Sequence, residues 1–154
     1  MKTRKLGDTD LDMTIIGFGT WAIGGGNWGM GWGDQDERDS IAAIHEGLDQ
    51  GINWIDTAHA YGFGESEEVV GKAVREYDGD VIVATKCGVL ANGDRSPYRL
   101  ISRKTIQEEV EGSLRRLQTD CIDLYQLHWP EPQENIAEGW QTLLDLKQQG
   151  KIRW

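Results

Sequence analysis

Four short apolar runs recur along the chain, at residues 15–19, 52–55, 81–85 and 122–127, and a stretch with helical spacing follows each. The runs are apolar without strict alternation, as parallel strands covered on both faces are. Behind the first, Asp34-Gln35-Asp36-Glu37 has the form of a capping box, Ile41, Ile44 and Leu48 make one stripe, and Gly51 stands where the helix should stop. Behind the second, Ser66 is placed to cap a helix whose first turn holds Glu67 and Glu68, where acids suit the helix dipole. Val69, Val70, Ala73 and Val74 form its buried face. Behind the third, Ser102 opens a helix carrying Ile106, Val110, Leu114 and Leu117. Behind the fourth, Asn135-Ile136-Ala137-Glu138 repeats the capping-box pattern. Ile136, Trp140, Leu143 and Leu144 should face inward there, and Gly150 should end the helix.

Strand and helix alternating at this spacing predict right-handed crossovers and a parallel sheet. Residues 5–11 read as a small hairpin ahead of it, and residues 151–154 as the start of a fifth strand.

Composition narrows the class. The 154 residues suit one domain, and 38% hydrophobic with 27% charged residues is the balance of an ordinary globular chain. A net charge of −10 repels a phosphate backbone, and the basic pairs Arg103-Lys104 and Arg115-Arg116 read as solvated helix faces, so no nucleic-acid partner is expected. Cys87 and Cys121 match no metal or redox spacing and are expected as reduced thiols. With no signal-peptide pattern and no run long enough to span a bilayer, no membrane partner and a cytoplasmic location are expected.

Three chemistries compete for the polar residues. Gly17-Phe18-Gly19-Thr20-Trp21-Ala22 fits a dinucleotide fingerprint, but a helix must begin at that turn, and the glycine-rich loop of residues 24–33 intervenes. Asp56, His59 and His128 suggest a metal-assisted barrel hydrolase, but the His-x-His expected at the first strand is replaced by Gly17-Phe18-Gly19, so no metal is expected. His59, alone in a loop, reads as a surface residue. The third reading follows from the strand ends. Asp56, Lys86 and His128 stand at the carboxyl ends of three successive parallel strands, with Tyr61 in the loop after the first, and that edge is where α/β active sites sit.

The four residues also make chemical sense together. A phenol ionises near ~10, and an adjacent ammonium favours the phenolate and eases proton donation. A carboxylate holds such an ammonium in a partly buried site, and a neutral imidazole donates to a substrate oxygen as charge grows on it. Acid, tuner, anchor and orienter suit reduction of a carbonyl with hydride from a cofactor.

Gly17-Phe18-Gly19-Thr20-Trp21, Gly51-Ile52-Asn53-Trp54-Ile55-Asp56-Thr57-Ala58, Tyr61-Gly62, Gly64-Glu65-Ser66-Glu67, Ala84-Thr85-Lys86, the run from Ser113 to Tyr125, and Leu127-His128-Trp129-Pro130 together resemble the aldo-keto reductase family. The wording is nearest to its bacterial general-stress and potassium-channel-β-like branches. The resemblance implies a (β/α)8 barrel of TIM type plugged by an N-terminal hairpin. It implies a catalytic tetrad of Asp56, Tyr61, Lys86 and His128: Tyr61 donates the proton, Lys86 tunes it, Asp56 pairs with Lys86, and His128 orients the carbonyl. Gly19, Thr20, Trp21 and Asp56 then line the nicotinamide of NADP(H), with Trp21 and Trp129 near a small-molecule carbonyl substrate. Trp28 and Trp32 in the glycine-rich loop either close over that substrate or lie against the barrel rim.

Family members run to roughly twice this length, because about eight strands close the barrel. Residues 1–154 therefore read as an incomplete barrel, the N-terminal half: hairpin, four βα units and the start of strand five. The expected consequences are weak cofactor binding by this chain alone and self-association, or association with a complementary C-terminal half. A non-catalytic half-barrel acting as a binding or assembly module is the alternative of a different class.

Overall fold

The computed structural model describes residues 1–26 and 31–154. An antiparallel hairpin, β1 (Thr3–Lys5) and β2 (Asp12–Thr14), precedes the main sheet and pairs Arg4 with Met13. The sheet holds four parallel strands, β3 (Phe18–Gly19), β4 (Trp54–Asp56), β5 (Ile82–Cys87) and β8 (Leu124–Leu127), in that spatial order. Helices α1 (Glu37–Asp49), α2 (Glu65–Glu76), α3 (Arg103–Leu117) and α4 (Ile136–Gln148) follow the strands in turn. The predicted α/β order of a partial (β/α)8 barrel is thus observed. The fifth strand has begun: Ile152 bridges Ile122 in parallel, and the Tyr125 N–H donates to the Trp154 carbonyl at 2.8 Å.

Helix stripes and sheet meet in one core. Ile44, Leu48, Val70, Ile106, Val110 and Leu146 from the helices close on Ile55, Val83 and Ile122, all buried. Gly51 and Gly150, at φ +90° and +75°, end α1 and α4 in the left-handed region where the absence of a side chain matters.

The caps depart from the sequence reading in three of four cases. Asp36, not Asp34, caps α1, its Oδ1 accepting from the Arg38 and Asp39 amides at 2.8 and 3.2 Å. Ser66 does not cap α2, because Gly64 at φ +109° occupies that position and the Ser66 hydroxyl is buried among the strand ends. Asn135 does not cap α4 either: its amide donates to the Ile101 carbonyl, while Glu138 accepts the Arg103 N–H and so caps α3. Ser102 caps α3 as expected, accepting from the Thr105 amide at 3.2 Å.

Three further differences appear, two of them at the open edges of the sheet. The first strand is shorter than predicted, with Ile15 and Ile16 each 57% exposed beside an edge that pairs only with β4. Trp140 and Leu144, expected inward, are 60% and 39% exposed. They border a groove of about 520 Å³ shared with Leu127 and Trp154, where a next strand–helix unit would lie. A hairpin absent from the sequence reading, β6 (Val89–Ala91) with β7 (Pro97–Arg99), projects between β5 and α3. No helix among the described residues is long and apolar enough to cross a membrane.

Candidate active site

Parallel strands deliver their last residues to one rim, and the four predicted residues meet there. Asp56 ends β4, Lys86 lies one residue inside the end of β5, and His128 follows β8, its amide donating to the Cys87 carbonyl at 2.9 Å. The Lys86 ammonium spends its donors on three groups: the Asp56 carboxylate, with both oxygens at 2.9 Å, the Thr57 carbonyl at 2.8 Å and the Tyr61 hydroxyl at 3.3 Å. The Lys86 side chain is only 12% exposed, so the Asp56 carboxylate is what lets the charge stay in so dry a place. The His128 ring stands edge-on to Tyr61, centroids 5.7 Å apart.

His128 has a buried Nδ1 that finds no partner among the described residues. Burial, first, and the Lys86 charge, second, lower its pKa to about 4, against the opposing pull of Asp56. The ring is therefore neutral at physiological pH and acts as a hydrogen-bonding group rather than a cation.

The remaining predicted residues divide. Trp21 is exposed at the rim with Trp32 edge-on at 6.0 Å, which places Trp32 beside the site; Trp28 lies outside the described residues. Gly19 is exposed with open space where a side chain would stand, a flat approach beside Asp56. Trp129 stacks against His128 on one side, and the Arg99 guanidinium lies 4.5 Å from its ring centre. Arg99 is in turn ion-paired with Glu131. Thr20 is different: its amide and hydroxyl both donate to the Asp56 carbonyl at 3.0 Å and its carbonyl accepts from Ser66, so its polar atoms are engaged within the fold.

Behind the rim lies a polar layer that the sequence reading missed. The Ser66 hydroxyl lies 2.8 Å from Thr20 Oγ1 and 3.0 Å from Thr57 Oγ1. The next residue, fully buried Glu67, accepts from Thr85 Oγ1 at 2.6 Å and from Arg116 Nε at 2.7 Å. Arg116 also reaches His59 Nδ1 at 3.2 Å, so His59 is a half-buried partner rather than a surface residue. Burial and the Arg116 charge lower the His59 pKa. Threonines flanking three strand ends were the available signal: Thr20, Thr57 and Thr85 all converge on Ser66-Glu67. Among the described residues, no three His, Cys, Asp or Glu side chains gather as a metal site would require.

Residues 15–154 match the sequence model of the Aldo/keto reductase family. The chain belongs to that family. It is 50% identical to Aldo-keto reductase YhdN of Bacillus subtilis, covering 99% of this chain and 45% of that protein. It is 44% identical to the NADH-specific methylglyoxal reductase of Escherichia coli, over 99% of this chain and 50% of the other. Among solved structures, glycerol dehydrogenase AKR11B4 of Gluconobacter oxydans superposes with a TM-score of 0.88 at 42% identity, over 99% of this chain and 46% of that one. An aldo-keto reductase from Klebsiella pneumoniae in complex with NADPH gives 0.70 at 32% identity, over 92% and 44%. This aldo/keto reductase chain thus spans about half the length of the relatives it matches.

Proposed function

We propose that these residues form the proton-donating half of an NADP(H)-dependent aldehyde or ketone reductase, with Tyr61 as the proton donor. The observation that carries the reading is the Lys86 ammonium bonded at once to Asp56 and to the Tyr61 hydroxyl. A nicotinamide held against Gly19, Trp21 and Asp56 would, when bound in its reduced form, supply the hydride and its two electrons to the carbonyl carbon. Tyr61 gives its phenolic proton to the carbonyl oxygen, and the alcohol departs. Lys86 stabilises the phenolate left behind, and Asp56 keeps Lys86 in place as the charge moves. Neutral His128 donates to the carbonyl oxygen and holds it toward Tyr61.

The rim fits one end of the cofactor better than the other. Exposed Gly19 and Trp21 beside Asp56 suit a flat ring. The rim cations Arg95 and Arg99 are already ion-paired, with Glu65 and Glu131, and neither offers a ready phosphate grip. Cofactor retention is therefore assigned to a C-terminal half-barrel that covers the open groove beside α4. Support for NADP(H) comes from the Klebsiella pneumoniae relative, and the NADH-specific relative makes the choice of dinucleotide part of the test.

The deciding experiment follows oxidation of NADPH and of NADH by methylglyoxal, a substrate class named by one relative, with this chain alone and with the complementary half supplied. Turnover lost in Tyr61→Phe supports the reading. Turnover that survives that substitution refutes Tyr61 as donor, and preference for NADH refutes the cofactor assignment. A folded chain inactive in both conditions favours a non-catalytic binding module.

A further inference from the structure

Tyr61 opens a short turn, residues 61–64, in which three consecutive residues lie in the left-handed region: Gly62 at φ +70°, Phe63 at +52° and Gly64 at +109°. For phenylalanine this conformation is disfavoured by steric crowding between its side chain and backbone, and it persists only where the surroundings hold it. Two arginines from separate elements reach this turn. Arg116, from the last turn of α3, packs under Gly64 so closely that a Cβ there would come within 2.7 Å of its Cδ. Its guanidinium is fixed by buried Glu67 and touches His59, two residues before Tyr61. Arg95, from the loop of the β6–β7 hairpin, donates to the Gly62 carbonyl at 3.3 Å and lies 5.8 Å from the Phe63 ring centre. On a third side, a Cβ on Gly24 would meet the Tyr61 backbone at 2.6 Å.

We infer that Arg116, oriented by Glu67, and Arg95 are positioning residues that clamp a strained turn and so fix the Tyr61 hydroxyl against Lys86. The inference rests on the reductase reading for its consequence and on the turn geometry for its substance. A planar guanidinium serves here because one rigid fork satisfies Glu67 and His59 together, which a lysine cannot do. A reacting group displaced by about 1 Å loses about 10²-fold in rate, so a clamp on the donor turn matters to turnover more than to folding.

The test uses this chain with its four tyrosines, Tyr61, Tyr77, Tyr98 and Tyr125, replaced biosynthetically by a fluorinated analogue, and Tyr61→Phe to assign the Tyr61 fluorine signal. Arg116→Met and Arg95→Ala are each expected to move that signal by more than its linewidth while Tyr77 and Tyr125 stay in place. In the turnover assay the same variants should lose kcat about 10²-fold with little change in the KM for cofactor. Folded variants in which the Tyr61 signal is unmoved, or in which all four move together, overturn the clamp. Arg95 is exposed and its ion-pair partner Glu65 is open to water as well, so its removal strands no buried charge, and Arg95→Ala decides the matter if Arg116→Met fails to fold. An unsubstituted protein without turnover even when the complementary half is supplied overturns the reductase reading instead, and the fluorine signals still judge the clamp.

Discussion

Glu109 gives the sharpest stability test, because it is a buried carboxylate that the proposed chemistry does not use. It lies on α3, 6% exposed, with both carboxyl oxygens 3.0–3.1 Å from the Gly88 amide just past β5. Burial pushes its pKa up from 4.5 to about 8, against the Gly88 hydrogen bond, with the Glu67 charge adding to the rise. An acid whose pKa is raised by folding favours the folded state fully below its unfolded value, and that contribution is lost as pH rises through the folded value. From about pH 6 to about pH 9 the unfolded carboxyl is already ionised, while the folded one gives up its proton only near the top of the range. Net stability should therefore fall by about 2–3 kcal/mol across that interval. Glu109→Gln keeps shape and the Gly88 contact but cannot ionise, so its stability should stay flatter. Burial is the largest cause of the raised pKa values of Cys87 and Tyr125 and holds both protonated across this range with or without the smaller push from Glu109, so neither enters the difference. Urea unfolding followed by tryptophan fluorescence at the two pH values measures it. Parallel pH dependence in parent and variant would refute the reasoning, and a parent that gained stability in alkali would do so more strongly.

Four other outcomes are expected. His128, held near 4, should stay neutral in a proton NMR titration at about pH 6; stability is complete above 6.5 and declines as pH falls toward 4, by about 1–2 kcal/mol after discounting for partial exposure, and His128→Gln should abolish that decline. Lys86→Met should lower turnover by at least about 10²-fold yet cost only about 1 kcal/mol of stability, since half-buried Asp56 turns to water, and comparable losses of both would point to a structural role. Gly64→Ala, at φ +109° and against Arg116, should lower stability by about 2 kcal/mol, and an unchanged unfolding midpoint would remove the case for a constrained turn. Trp140→Gln combined with Leu144→Lys on the open groove should reduce self-association in sedimentation experiments without moving the unfolding midpoint, whereas loss of folding would place both residues in the core.

Legibility followed the range of the interaction. Strand–helix alternation, the stripe Ile44–Leu48 and the residues at the strand ends were readable because each depends on local spacing, and the structure brings Asp56, Tyr61, Lys86 and His128 within contact of one another. Capping was misread where tertiary partners outbid local ones: Ser66 serves Thr20 and Thr57, and Asn135 serves Ile101. The inward assignment of Trp140 and Leu144 assumed a neighbour that the described residues do not provide. The β6–β7 hairpin was missed although Asn92-Gly93 is a turn signal, because its flanking runs are only three residues each. Glu67 read only as a first-turn acid and Arg116 as half of a solvated basic pair, but Arg116 is mostly buried against Glu67; the two are 49 positions apart and become a pair only when α2 and α3 pack.

The rim and the open edges of this partial barrel make different demands. At the rim, the partners of Lys86, the caps of the strand ends and both arginines on the Tyr61 turn come from residues 20–128, and their hydrogen bonds close within the chain. At the two open edges, Ile15 and Ile16 beside β3, and Trp140 and Leu144 beside the strand begun at Ile152, carry apolar surface to solvent. Polar geometry that closes locally survives exposure, whereas apolar surface is stabilised only when something covers it. On the proposed reading, the donor site should assemble without a complementary half, and supplying that half should chiefly add apolar burial and a grip on the cofactor. The fluorine signal of Tyr61 should then be nearly the same with and without a complementary half, while cofactor affinity changes steeply. A Tyr61 signal that sharpens and shifts only on complementation would reverse that order and make the second half the organiser of the first.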